Sequence, residues 1–263
     1  MRLPFSAPKI PVLVIRGIIA PRPGLVSHES LAEPLAKGFA LAKRSKNLIL
    51  AIESPGGSAA QSDLIGQSIR RQAEKSGVAV TAVIGDVGAS GGYWLACAAD
   101  RIIANRLSIV GSIGVVTEGF GLDEFIKRHG ISRRTRTAGT NKRRNDMFAP
   151  ESPDDIAFTQ TLLAQAHDAF KSWVRARRGA RLTAPEDEVF DGGYMLGETA
   201  QAKGLIDGLG DVETLVKELG GEKARPVWLR PKPPGGLLPR LLRGGAETLL
   251  DVLENRSQTT SLK

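Results

Sequence analysis

The stretch VAVTAVIGDVGASGGYWLACAAD, residues 78–100, predicts the centre of the fold. Residues 78–85 are largely apolar, as in a buried strand, and the part from Gly91 onward predicts a helix. Two similar apolar runs, residues 12–19 and 47–54, come earlier, and a helical pattern follows each of them. Apolar strands that alternate with helices indicate a largely parallel, buried sheet flanked by helices, and therefore an α/β fold.

The helical patterns have recognisable beginnings and ends. The first two cover about residues 27–43 and 58–75. A long helix is expected to begin after Ser152, which a proline follows, and to stop before Gly179. Between these regions, residues 132–150 are polar and basic without helical periodicity, and we predict a strand followed by a loop there.

The composition narrows the classes of function. The 263 residues carry a net charge of +8, but basic residues are spread along the chain and aromatic residues make up only 5%. We therefore expect no nucleic-acid partner. The single cysteine, Cys97, lies in an apolar stretch, so an internal disulfide and a paired-cysteine zinc site are excluded. Because no phosphate-binding or metal motif is present, we expect no metal and no cofactor.

The two ends of the sequence differ from its middle. The N-terminal apolar run, residues 11–20, is interrupted by Arg16 and is too short to span a membrane. We expect neither a signal peptide nor an anchor, and a cytoplasmic location. We predict one domain over residues 1–222 and a basic, proline- and glycine-rich segment over residues 223–263, which begins with a strand and a linker and includes a short amphipathic helix (246–254). Contact of that helix with a membrane surface is the less favoured alternative to a solvated or docked segment.

Two glycine-containing turns follow predicted strands. SPGGS, residues 54–58, follows the second strand, and GASGG, residues 88–92, follows the third. Backbone amides at a strand-to-helix turn point outward, and glycines let a carbonyl oxygen approach them, as in an oxyanion hole. Ser90 also fits the G-x-S-x-G pattern of a nucleophile. An ordinary turn and a simple helix N-cap are the alternatives.

A serine nucleophile needs a base. The sequence contains three histidines, His28, His129 and His167, and the last two fall in predicted helices, so a serine–histidine triad is weakly supported. A lysine is the other candidate base, provided that burial favours its neutral form. Lys142, in TNKRR at residues 140–144, is one basic residue among many on sequence grounds alone.

Four motifs together resemble the signal peptide peptidase A (protease IV) family of serine–lysine peptidases. They are SPGG at 54–57, GASGGYW at 88–94, GSIGV at 111–115 and KRRNDMFAPES at 142–152, and they occur in the family's order. The resemblance covers about residues 10–220. It implies the Clp protease/crotonase-like fold, which is built of repeated ββα units.

The resemblance implies a role for five residues. Ser90 matches the nucleophile, and Lys142 matches the general base. Gly57 and Gly91 match the positions whose amides form the oxyanion hole. Ser112 matches the serine that orients the lysine amine.

The resemblance also implies substrates and partners. They are peptides or unfolded chains, cleaved through an acyl-enzyme, and further copies of the chain in a homo-oligomeric ring. Two departures from the family pattern are visible. Many relatives carry an N-terminal membrane anchor, which we do not expect in this sequence, and DGGYMLG at residues 191–197 follows the family pattern only loosely. A crotonase-like acyl-CoA enzyme and a non-catalytic binding protein of the same fold stay open as alternatives.

Overall fold

The computed structural model describes residues 7–139 and 141–231. Within them, eight strands form one sheet. The strands are β1 (Lys9–Arg16), β2 (Asn47–Ser54), β3 (Ala79–Ala89), β4 (Arg101–Ala104), β5 (Ile109–Gly111), β6 (Tyr194–Leu196), β7 (Gly208–Leu209) and β8 (Arg225–Leu229). The three apolar runs of the sequence are therefore confirmed as the strands β1, β2 and β3.

The strand order places β1, β2 and β3 side by side at the centre of the sheet. β8 pairs with β1, and β3 pairs first with β4 through residues 81–84 and then with β5 through residues 87–89. Of the described strand pairs, only β5 and β6 are antiparallel. The prediction of a largely parallel sheet is confirmed.

The helices flank the sheet, and three of those described begin at serine caps. They are α1 (His28–Ser45), α2 (Ala59–Ser76), α3 (Gly91–Cys97), α4 (Asp123–Arg128), α5 (Pro153–Arg178), α6 (Glu186–Val189), α7 (Gly197–Ala202) and α8 (Val212–Gly220). The hydroxyls of Ser27, Ser58 and Ser152 accept hydrogen bonds from first-turn N–H groups of α1, α2 and α5. Among the described residues, no helix is both long and apolar enough to traverse a bilayer.

The larger core lies between one face of the sheet and helices α1, α2, α3 and α5, and α8 covers a smaller core on the other face. Leu50 and Ile52 of β2 face the larger core and Ile49 faces the smaller one, as the alternation of a strand requires. Every residue of α3 is buried, so the chain enters the core directly after Ser90. Burial raises the pKa of the Cys97 thiol to about 12, so this cysteine is structural.

The two halves of α5 differ in burial. Its buried residues, Phe170, Val174 and Arg178, all lie in the C-terminal half. Arg178 donates to both carboxylate oxygens of Asp207, at 2.8 and 2.9 Å. Burial opposes the ionised form of Asp207, but the hydrogen bonds that this carboxylate accepts, first among them those from Arg178, hold its pKa below the usual value. The C-terminal half of α5 is thus fixed in the core, whereas the N-terminal half is largely exposed.

One region differs from the sequence predictions. Residues 132–150 contain no helix or strand at their described positions, so the strand predicted there is wrong. Ion pairs such as Arg133 with Asp146 hold this segment, because its polar side chains offer no apolar face to a sheet. The strand predicted at the start of the segment from residue 223 is confirmed as β8, which pairs with β1. The helix predicted at residues 246–254 lies outside the described residues.

Candidate functional site

Three turns come together at the carboxyl edge of the sheet. They follow β2, β3 and β5, and β3 is the neighbour of both other strands. β3 and β5 pair in register up to Ala89 and Gly111. Ser90 and Ser112 are the next residues, and adjacent strands lie about 5 Å apart. The two predicted site serines therefore continue neighbouring strands.

Ser90 has a backbone conformation that few residues other than glycine adopt. Its φ is 51° and its ψ is −123°, a combination that costs a residue with a side chain about 1–3 kcal/mol. Its N–H donates to the carbonyl oxygen of Gly111 at 2.8 Å, while its half-buried side chain caps no N–H of α3. The N-cap interpretation is therefore wrong, and the geometry resembles a strained nucleophile turn.

Glycines allow the turns to pack around Ser90. A Cβ atom on Gly56 would lie only 2.8 Å from the Cβ atom of Ser90 and 2.7 Å from the nitrogen of Gly91. A Cβ atom on Gly92 would collide with the carbonyl oxygen of Ser54 at the end of β2. The SPGG and GASGG motifs thus bring two turns into backbone-to-backbone contact, which larger residues would prevent.

The amides of Gly57 and Gly91 lie at this junction. Ile19 forms a bridge with Gly57: its N–H donates to the carbonyl oxygen of Gly56, and its own carbonyl oxygen accepts from Ser58. The Gly57 N–H therefore points away from the bridge, and Gly91 begins α3, where an N–H has no partner within the helix. Neither N–H has a hydrogen-bond acceptor within the described part of the chain, so both can donate to a substrate oxygen.

Ser112 is a second strained serine. Its φ is 54°, and its N–H donates to the carbonyl oxygen of Gly193 at 2.6 Å. Over residues 7–139 and 141–231, four non-glycine residues have a positive φ, and two of them are the neighbouring Ser90 and Ser112. Backbone strain of this kind concentrates at functional sites, which makes this edge of the sheet the candidate active site.

Lys142 belongs to residues 132–150, here called the lysine segment, and its exposed side chain has no hydrogen-bond or ion-pair partner among the described residues. Close by, Arg144 donates to Asp155 at 3.0 Å, and Asn145 donates to Thr159 at 3.0 Å. The lysine segment therefore rests on the first two turns of α5.

The segment that carries Ser112 contacts a later part of the same helix. The Nε2 atom of His167 is 2.9 Å from the carbonyl oxygen of Ile113, the residue after Ser112. From Thr159 to His167, α5 rises about 12 Å. Within one chain, the Asn145–Thr159 contact and the His167–Ile113 contact are therefore about 12 Å apart along α5.

Sequence reasoning missed the contact made by His167. The helical pattern around His167 does not predict a hydrogen-bond partner 54 residues away in the sequence. His129 contacts Phe125 of the preceding helix, through the carbonyl oxygen at 2.9 Å from Nδ1 and through ring packing. No hydrogen bond connects a histidine with Ser90 in the portion of the chain described here. A serine–histidine pair therefore has no support.

A shallow groove of about 440 Å³ runs between α2 and α5. It begins at Ala59 and Ala60, directly after the SPGGS turn, and Trp94 and Trp173 line its inner part. Most of its other lining side chains are small. No group of three or more potential metal ligands was found among residues 7–139 and 141–231. The arrangement provides a hydroxyl, two amides and a small-residue groove.

Comparison with known proteins gives a family. The description "Peptidase family S49" matches residues 72–225, which is more than half of the chain. The matched part contains Ser90, Ser112 and Lys142, and it begins after the SPGG motif. The match is to peptidases and favours that interpretation over an acyl-CoA enzyme.

Several curated proteins are similar over most of the chain. Serine protease SPPA, chloroplastic, from Arabidopsis thaliana is 31% identical over 205 residues, which are 77% of this chain and 29% of that protein. The Synechocystis sp. protein slr0021, which carries a provisional protease name, is 31% identical over 228 residues, 84% of this chain and 80% of that protein. Both names agree with the family match.

A Brucella abortus protein has higher identity but another kind of name. It is 41% identical over 241 residues, 90% of this chain, and is named Na(+)/H(+) antiporter NhaA. This chain spans about a third of that protein, 32% of its length. Since a peptidase family matches this chain, the antiporter name does not describe the aligned third. The family match and the protease-named relatives confirm the resemblance and the predicted fold class: the chain belongs to peptidase family S49, which has the Clp protease/crotonase-like fold.

Proposed function

We propose that this protein is a serine endopeptidase in which Ser90 is the nucleophile. One observation carries the proposal: a strained, glycine-lined turn presents the Ser90 hydroxyl, which caps no helix, beside two amides that have no acceptor among the described residues. A strained residue whose side chain makes no hydrogen bond adds little to stability, and chemistry at the hydroxyl accounts for the strain. Membership of a peptidase family supports the hydrolytic class.

In the proposed reaction, the Ser90 oxygen attacks the carbonyl carbon of the scissile peptide bond. The neutral amine of Lys142 takes the hydroxyl proton as the carbon–oxygen bond forms. The N–H groups of Gly57 and Gly91 stabilise the resulting oxyanion, each by about 3 kcal/mol. The carbon–nitrogen bond then breaks, and Lys142 passes its proton to the leaving amine. Water, deprotonated by the same lysine, hydrolyses the acyl-enzyme and releases Ser90.

A neighbouring subunit supplies Lys142 in this proposal. The lysine segment contacts α5 at Thr159, and the segment that carries Ser112 contacts it at His167, about 12 Å farther along the helix, which supports a base from outside the chain. The lysine segment and the helices beside it also expose large apolar side chains, including Phe125, Met147 and Phe158. Side chains of this kind are common in contacts between proteins. Burial in such a contact would also favour the neutral lysine that the reaction needs.

The proposed substrates are peptides or unfolded chains. A homo-oligomeric ring would exclude folded proteins from its active sites. The small side chains around Ser90 and along the α2–α5 groove support a preference for small or apolar substrate residues. The proposed steps use no cofactor. A cytoplasmic location stays a prediction of the sequence.

Peptide cleavage by the purified protein tests this proposal. A diverse peptide mixture is incubated with the wild type and with Ser90→Ala, and the cuts are identified by mass spectrometry. We expect cuts by the wild type alone, next to small or apolar residues. Equal cutting by Ser90→Ala would overturn the proposal. Turnover of acyl-CoA thioesters without peptide cleavage would support the acyl-CoA alternative instead.

A further inference from the structure

Residues 111–114, which carry Ser112, are held from two sides. On one side, the Nε2 atom of His167 lies 2.9 Å from the carbonyl oxygen of Ile113. A carbonyl oxygen only accepts, so this nitrogen carries the hydrogen. On the other side, the Ser112 N–H donates to the carbonyl oxygen of Gly193 at 2.6 Å. Two consecutive residues are thus fixed by two different elements.

The second side is a turn whose sequence allows close contact. The carboxylate of Asp191 accepts a hydrogen bond from the Gly193 N–H at 2.8 Å, which fixes the turn. A Cβ atom on Gly114 would lie 2.8 Å from the Cα atom of Gly192, so the two backbones touch. The turn formed by DGGY at residues 191–194 therefore packs directly against the backbone of residues 111–114.

Ser112 needs support because its φ of 54° is unfavourable for a residue with a side chain. Without contacts that hold the backbone, the residue would relax toward the common β or α conformations. Its hydroxyl would then move relative to Ser90, which continues the neighbouring strand. The hydrogen bond from His167 fixes the peptide group that joins Ile113 to Gly114, the first one beyond those that flank Ser112.

We propose that His167 is a positioning residue for the peptidase reaction. By holding the carbonyl of Ile113 against α5, it keeps the Ser112 hydroxyl where that hydroxyl receives the amine of Lys142. This inference rests on the proposed function and on the role that the resemblance implies for Ser112, which is to orient the amine of Lys142. His167 transfers no proton in this role, and it donates through Nε2 whether the imidazole is neutral or charged.

Three variants separate positioning from a general effect on folding. His167→Leu removes the donor, and His167→Gln keeps an N–H group at a similar reach. Lys171→Gln is the matched control, because it removes only an exposed-side ion pair with Asp168, at 2.6 Å, one turn farther along α5. Each full-length protein is assayed for kcat and KM on a cleaved peptide. Hydrogen–deuterium exchange of residues 108–118 is measured in parallel.

We expect His167→Leu to speed exchange in residues 108–118 about tenfold, since the segment loses one of the hydrogen bonds that hold it. Its kcat should fall about 10- to 100-fold with KM changed less than about twofold, because misplacement of a catalytic group by about 1 Å has effects of this size. His167→Gln should recover most of both properties. Lys171→Gln should match the wild type in both.

Two results would overturn the inference. Unchanged exchange in His167→Leu would show that the histidine does not hold the segment. Faster exchange with wild-type kcat would show that the hold has no part in the reaction. A wild type that cleaves no peptide would instead refute the proposed function, and the exchange measurement would still decide whether His167 holds Ser112.

Discussion

The serine edge of the sheet and the lysine segment are built in opposite ways. Around Ser90, strand register and backbone-to-backbone contacts between glycine-containing turns fix the position of the backbone. The lysine segment has no helix or strand at its described positions and is held by ion pairs such as Arg144 with Asp155. Partly exposed pairs of this kind contribute about 1 kcal/mol or less.

This difference indicates which contacts position Ser90 and which position Lys142, the two members of the proposed catalytic pair. The fold of one chain places the nucleophile and its two amides, because they lie on the edge of the core. The base lies on a segment with few buried contacts, which opens at a lower free energy than the core does. A contact with a second copy of the chain can therefore set its final position.

The largest effect is expected from removal of the base. Lys142→Ala should lower peptide hydrolysis about 10³- to 10⁴-fold, as loss of a member of a catalytic pair does. The fold should be unchanged, because the side chain is exposed and has no polar partner in the described chain. Lys75→Ala, which removes an exposed lysine at the end of α2, is the control and should keep full activity. Steady-state hydrolysis of a peptide measures both.

Co-expression of Ser90→Ala with Lys142→Ala then locates the base. Neither chain has both groups, but in a randomly mixed ring about a quarter of the sites would combine an intact serine with an intact lysine from the neighbour. Hydrolysis should therefore return to about a quarter of the wild-type rate. Absence of recovery in assembled mixed rings would mean that Lys142 acts within its own chain.

An intermediate effect is expected from glycine substitutions in the two regions. Gly56→Ala should lower the free energy of unfolding by about 1–3 kcal/mol and reduce activity, because the new Cβ meets the Ser90 turn. Gly119→Ala, between β5 and the lysine segment, has nothing within 4 Å of the new Cβ, and should change stability by about 0.5 kcal/mol or less. Chemical denaturation measures both values. Equal effects would contradict the contrast between the regions.

The smallest effect concerns the strain at Ser90. Glycine relieves a positive φ that alanine does not, so Ser90→Gly should be more stable than Ser90→Ala by about 0.5–1 kcal/mol. At Ser68, within α2, the same comparison should have the opposite sign, because glycine destabilises a helix interior by about 1 kcal/mol. Thermal or chemical unfolding gives the four values. A more stable alanine variant at position 90 would mean that the turn is not strained.

Much of the fold was predictable because local patterns set it. Apolar runs predicted the central strands, and the serine–proline pair at Ser152 with Gly179 predicted both ends of α5. Glycines on both sides of Ser90 predicted a tight turn. These features depend on residues close in sequence, so sequence alone identifies them.

The rest depends on contacts between distant residues. The lysine segment has no periodic pattern, so its sequence did not reveal that it packs on α5 through Arg144 and Asn145. The hydrogen bond between His167 and Ile113 spans 54 residues, and no local pattern indicates it. The contact of Gly56 with the Ser90 turn likewise became visible only when β2 and β3 were placed side by side.

Covalent labelling by a serine-reactive probe tests directly whether Ser90 is the nucleophile and Lys142 is its base. The assembled wild-type protein is treated with a fluorophosphonate, and the modified residue is identified by mass spectrometry. We expect one adduct, on Ser90, in the wild type. We expect no adduct in Ser90→Ala and much slower labelling in Lys142→Ala. Labelling of a different serine, or labelling of Lys142→Ala at the wild-type rate, would contradict these two roles.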